Sequence, residues 1–248
     1  MKVVAIFGGS GGLGGHVVRR VARDHAVLIG YRTGAEKAQA LVGELEGGGR
    51  RVVAAPVDIR RLDSVQAFLD KAAALGSVSG VVSVCGAPFP MCALTDASVE
   101  EFRDVIETEV FGAFNIFKCA VPLLKKNGGG SLVVFLTTAV LRTMDYDALN
   151  SVPKSAIAMM VRHVAREAGR DNVRVNAVAP GVIDAGRTDL VSQLPPLVRK
   201  VVADCLASTP LPRLGKPSEV AGLVQFLLSE DGGYINGQIL GLDGGYSA

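Results

Sequence analysis

The sequence carries almost no net charge: 26 Lys and Arg stand against 24 Asp and Glu in 248 residues, a formal +2. That balance gives no electrostatic reason to expect nucleic acid or an anionic membrane as partner. Long hydrophobic runs are also missing. No apolar stretch approaches the length of a membrane span. Met1 to Phe7 is too short to read as a signal peptide, because a glycine turn follows at once. Four cysteines, Cys85, Cys92, Cys119 and Cys205, lack metal-ligand spacing, so no metal is expected and the thiols read as reduced, in a cytoplasmic protein. Repeats and low-complexity tracts are absent, and the Gly47–Gly49 and Gly128–Gly130 clusters read as turns rather than linkers.

What is present is apolar: 49% of residues are hydrophobic and 20% charged, enough to build a large core and to exclude disorder. Strand-like runs alternate with helix-period segments. Strands are expected at Lys2–Phe7, Ala26–Tyr31, Arg51–Val57, Gly80–Val84, Ser131–Thr137, Val173–Val178 and Gln238–Leu242. Helices are expected from the glycine turn to Asp24, over Ala35–Glu46, around Val65, Phe68, Leu69 and Ala72, and over Val99–Leu124, Ser151–Ala168, Leu197–Leu206 and Ser218–Ser229. Ser98 and Glu101 fit a capping box, and Pro153 suits a helix's first turn. Met159 and Met160 are expected in the core. His16, His25 and His163 have no partner at ligand spacing and read as surface residues. The alternation implies a single doubly wound (Rossmann) α/β domain over residues 1–248: about seven parallel strands with helices on both faces, and a ligand crevice at the carboxyl ends of the strands.

Gly8, Gly12 and Gly14 open the first helix directly after the first strand, with Ser10, Gly11 and Leu13 between them. A helix N-terminus offers unpaired N–H groups and a partial positive charge, and glycines let the backbone approach an anion closely. This turn is expected to hold the pyrophosphate of a nicotinamide dinucleotide.

At these residues the chain resembles the short-chain dehydrogenase/reductase family. Val173–Gly181, Gly237-Gln238 and Leu242–Gly245 extend the resemblance over essentially the whole length. It implies an oxidoreductase moving hydride between a nicotinamide dinucleotide and a carbonyl, an alcohol or an activated enoyl double bond. The second strand ends Tyr31-Arg32-Thr33 without the carboxylate that would hold the ribose of NAD, and Arg32 can pair with a 2′-phosphate. NADP is therefore expected over NAD, although Arg32 as a solvated loop cation fits as well. By resemblance, Asp58-Ile59 meets the adenine, and Cys85-Gly86, Lys154 and Pro180-Gly181-Val182-Ile183 border the nicotinamide. The resemblance also implies a homo-tetramer or dimer, built through the long helices and last strand.

The family's chemistry needs a tyrosine four residues before its lysine, a serine on the fifth strand and an asparagine on the long helix. Lys154 matches the lysine, but counting back four gives Asn150. A carboxamide cannot do a phenol's work near neutral pH. The serine position falls at Thr137 or Thr138, with Thr138 as candidate, and the asparagine position is Glu109. Three readings stay open. Tyr146, eight residues before Lys154, supplies the phenol, as enoyl reductases related to this family place theirs seven before. Thr138, Glu109 or a water handles the proton. Or the protein binds the dinucleotide without turnover, as a sensor, scaffold or partner subunit. Residues 180–210 read as a substrate lid, and Phe89, Met91, Leu94, Leu190 and Leu194 as apolar pocket lining.

Overall fold

In the first strand, β1 (Lys2–Phe7), Val3, Ala5 and Phe7 face one apolar layer while Val4 and Ile6 face the other. All five are fully buried, as strand periodicity requires of a strand covered on both faces. This computed structural model describes residues 1–184 and 195–248. Around β1 lie α1 (Gly12–Val21), β2 (Ala26–Tyr31), α2 (Ala35–Glu46), β3 (Val52–Pro56), α3 (Leu62–Leu75) and β4 (Ser77–Ser83). The second half adds α4 (Val99–Ile106), α5 (Gly112–Lys126), β5 (Gly130–Phe135), α6 (Ala148–Ala168), β6 (Val173–Pro180), α7 (Pro196–Ala207), α8 (Pro217–Leu228) and β7 (Ile239–Leu242).

The strands form one parallel seven-stranded sheet in the order β3-β2-β1-β4-β5-β6-β7. Helices α3, α5 and α6 cover one face, and α1, α2 and α8 the other. Phe7 and Phe68 lock the first layer with ring centroids 4.7 Å apart. The chain winds outward from β1 to β3, then returns to lay β4 on the other side of β1. That reversal opens a crevice at the carboxyl ends of β1 and β4.

The expected elements are present, with shifted ends. The helix expected over Val99–Leu124 is interrupted: the Ser98–Glu101 capping box starts α4 as anticipated, but Glu107–Phe111 forms a wide π-helical turn before α5. Helix α6 begins a turn earlier than expected because the Asp147 carbonyl accepts the Ser151 N–H at 2.9 Å, so Pro153 sits inside the helix and not in its first turn. Strand β5 ends at Phe135, two residues short of Thr137. Met159 is half exposed on α6, while Met160 packs against the core. Among the described residues no helix is long and apolar enough to cross a membrane.

Candidate active site

The turn after β1 is built by close backbone approach. Gly8 adopts φ +75°, a left-handed conformation that glycine alone reaches cheaply. A Cβ on Gly14 would collide with the Gly8 carbonyl oxygen, and one on Gly8 would lie 3.1 Å from the Cys85 nitrogen in the loop after β4. Gly11 caps α1 without a side-chain bond, and the first turn of α1 holds no acid. The N-terminal N–H groups of α1 are left to an anion, and the cradle they line exists only because side chains are absent. The turn therefore fits a pyrophosphate.

Two cavities meet here, sharing Gly8, Gly11, Val84, Cys85 and Gly86. The first, about 340 Å³, takes in Ser10, Tyr31, Arg32, Thr33, Lys37, Asp58 and Ile59. Arg60 grips Asp58 through a 2.6 Å ion pair. This bond holds the Asp58 carboxyl below the usual range. Asn115, buried on α5, donates to the Ile59 carbonyl at 2.9 Å and fixes that loop from beneath.

The second cavity, about 510 Å³, takes in Gly12, Leu13, Gly14, Phe89, Glu109, Thr137, Asn150, Lys154, Pro180, Gly181 and Ile183. Lys154 reaches it from α6 and forms a 2.8 Å ion pair with Glu109, both side chains being less than 8% exposed. The π-helical turn delivers Glu109 to this position. Burial pushes the neighbouring Cys85 thiol up to about 11.

Asp147, at the start of α6, is a buried carboxylate that the sequence did not single out. Its oxygens accept the Asn150 side-chain N–H at 3.3 Å. Burial raises its pKa to about 6, against that stabilising bond. Lys37 was also missed, since its place in the first turn of a surface helix carries no signal by itself.

Several candidate residues fall elsewhere. The Thr138 hydroxyl donates to Asp243 Oδ2 at 2.5 Å; Thr137 is the threonine on the cavity. Burial would push Asp243 up, but the bonds from Ser247, Thr138 and Gly245 outweigh it and hold its carboxyl low. Tyr146 lies outside the Lys154 cavity. It has φ 62° and lines a separate cleft of about 160 Å³ with Arg142, Lys200, Cys205 and Tyr246. Val182 lines a third cavity, and its carbonyl is taken by the Gly215 N–H at 3.0 Å, so only Ile183 of that pair lines the Lys154 cavity. Leu94 is exposed, and Met91 packs beside Val201 and Tyr246. Leu190, Leu194 and the middle of the expected lid lie outside the described residues.

A family model described as enoyl-(acyl carrier protein) reductase matches residues 8–247. The chain belongs to the short-chain dehydrogenase/reductase family. It is 34% identical to cis-4-hydroxycyclohexanecarboxylate dehydrogenase of Sinomonas cyclohexanicum, covering 100% of this chain and 97% of the relative. A short-chain type dehydrogenase/reductase from Mycobacterium ulcerans superposes with TM-score 0.91 at 29% identity, over 99% of this chain and 90% of that one. A blue fluorescent protein from a metagenomic library, in complex with NADPH, superposes with TM-score 0.88 at 30% identity, over 100% and 98%. Membership makes the chain an oxidoreductase that uses a nicotinamide dinucleotide.

Proposed function

We propose that this enzyme prefers NADP(H) to NAD(H) and acts on a carbonyl or alcohol carbon, or on an activated enoyl double bond, without a tyrosine phenol. The observation that carries the reading is the cleft itself: glycine turn, Arg32 and Lys154 lie along one continuous surface. The dinucleotide would supply the hydride. The α1 N-terminus would hold the diphosphate, and Arg32, Thr33 and Lys37 would meet a 2′-phosphate where β2 ends without an acid. Asp58 and Ile59 would border the adenine, Lys154 and Ile183 the nicotinamide side.

The protein's four tyrosines are Tyr31, Tyr146, Tyr234 and Tyr246, and none lines the Lys154 cavity. Thr137 and Asn150 are left to orient a substrate oxygen by hydrogen bonding, with water as the proton carrier. Similarity to the Sinomonas cis-4-hydroxycyclohexanecarboxylate dehydrogenase supports a hydroxyl or carbonyl on a small carboxylated ring as one substrate shape. We further propose a cytoplasmic homo-oligomer, dimer or tetramer. Phe111, Phe114, Val152 and Met159 are exposed on neighbouring helical segments, an apolar face suited to a second copy, and the four cysteines are free thiols.

Calorimetric titration with NADPH and NADH, followed by turnover on ketones, alcohols and enoyl thioesters, tests this reading. Tighter NADPH binding with turnover is expected. Binding neither nucleotide would overturn it, and binding without turnover would favour a non-catalytic role.

A further inference from the structure

Three acceptors surround the Lys154 ammonium: Glu109 Oε2 at 2.8 Å, the Phe135 carbonyl at 3.1 Å and the Cys85 carbonyl at 3.3 Å. An ammonium has three N–H bonds, so each has a partner. The other Glu109 oxygen accepts the Ala87 N–H at 2.6 Å. One carboxylate thus ties α6 to the loop after β4, and Cys85 and Gly86 of that loop form part of the wall common to both cavities. The same ammonium reaches the end of β5 through Phe135. Four parts of the site, namely the β4 loop, the π-helical turn, the end of β5 and α6, converge on this pair.

We propose that Glu109 is a positioning residue for the nicotinamide half of the cleft. By holding the Lys154 ammonium and the Ala87 N–H together, it sets the spacing between the Cys85–Ala87 wall and α6. It acts through those two groups and not on the reacting atoms. The adenosine half is fixed separately, by the Arg60–Asp58 and Asn115–Ile59 contacts. Loss of Glu109 therefore disturbs one half of the ligand and spares the other. This role rests on the dinucleotide reading of the cleft. Because a lone buried charge is worse than no charge, the two residues are also coupled: once Lys154 is gone, Glu109 has little left to hold.

The test compares a ligand that spans both halves with ligands that fill only one, by calorimetry on the full chain. The probes are NADPH and NADH, then adenosine 2′,5′-bisphosphate and AMP. Glu109→Gln should weaken the dinucleotide at least tenfold and leave the adenosine ligands within twofold. Lys154→Met should do the same. The double variant should bind the dinucleotide no more weakly than Lys154→Met alone. Equal weakening of both ligand types, additive losses in the double variant, or no effect of Glu109→Gln would overturn the proposal. If Glu109→Gln fails to fold, the double variant leaves no unpaired buried charge and replaces it. Dinucleotide affinity equal to wild type there would overturn the proposal. A wild type that binds no dinucleotide overturns the functional reading itself, whereas a binding wild type with an indifferent Glu109→Gln overturns the role of Glu109 alone.

Discussion

The carbonyl oxygen of Gly8 occupies the place where a side chain on Gly14 would begin. Gly14→Ala must therefore push the turn open, an overpacking cost of about 1–3 kcal/mol. NADPH affinity should fall by roughly tenfold or more. Gly43→Ala is the control, since a Cβ there meets nothing within 4 Å and lies inside α2. It should stabilise the protein by about 0.5–1 kcal/mol without touching binding. Thermal unfolding and calorimetry read both.

Arg32 is an exposed cation on the wall of the adenosine cavity. If it pairs with a 2′-phosphate, Arg32→Ala removes about 1.5–3 kcal/mol from NADPH binding and nothing from NADH. That is roughly a ten- to hundredfold change in one dissociation constant. An equal effect on both nucleotides would remove the basis for preferring NADP.

Thr137 and Thr138 should separate cleanly. Thr138→Ala strips a hydrogen bond from the Asp243 carboxylate. It should cost about 1.5–3 kcal/mol of stability and leave the residual turnover of folded enzyme near wild type. Thr137→Ala loses only the 3.3 Å bond its hydroxyl accepts from the Ala139 N–H, so it should lower the melting temperature less than Thr138→Ala and lower kcat. The reverse pattern would return the orienting role to Thr138.

Asp147 titrates near 6 in the folded protein because burial opposes its charge. A carboxyl whose pKa is raised on folding binds its proton more tightly in the native state. Its contribution to stability is therefore present below the unfolded value of 3.8 and is lost as the pH rises through about 6. Asp147→Asn should stabilise the protein at pH 7.5 by up to roughly 3 kcal/mol, from 1.36 kcal/mol per pKa unit, and give no gain at about pH 3.5. Melting temperatures across that range decide it; a gain independent of pH would dismiss burial of the charge as the cause.

The layered sheet was legible because the chain states it twice over. Val3, Ala5 and Phe7 alternate with Val4 and Ile6, and helix-period segments recur between the strands. The glycine turn was legible because steric need leaves few other residues possible at Gly8 and Gly14. What stayed hidden depends on register and depth. Nothing in the run from Glu107 to Phe111 announces a π-helical turn, so Glu109 could be aligned by resemblance but not placed against Lys154. Thr137 and Thr138 are chemically alike, and only the end of β5 at Phe135 decides which one meets the cavity. Asp147 looks like an ordinary loop acid until the fold closes over it. Nor does the sequence show that the Val182 carbonyl finds Gly215, a partner far along the chain.

The saturated ammonium also constrains any attempt to rebuild the family's usual acid. Installing a phenol by Asn150→Tyr would set it beside a cation already occupied by its neighbours. Coupling a phenol to this lysine should require a paired exchange, Asn150→Tyr with Glu109→Asn, so that the lysine is released at the moment its new companion arrives.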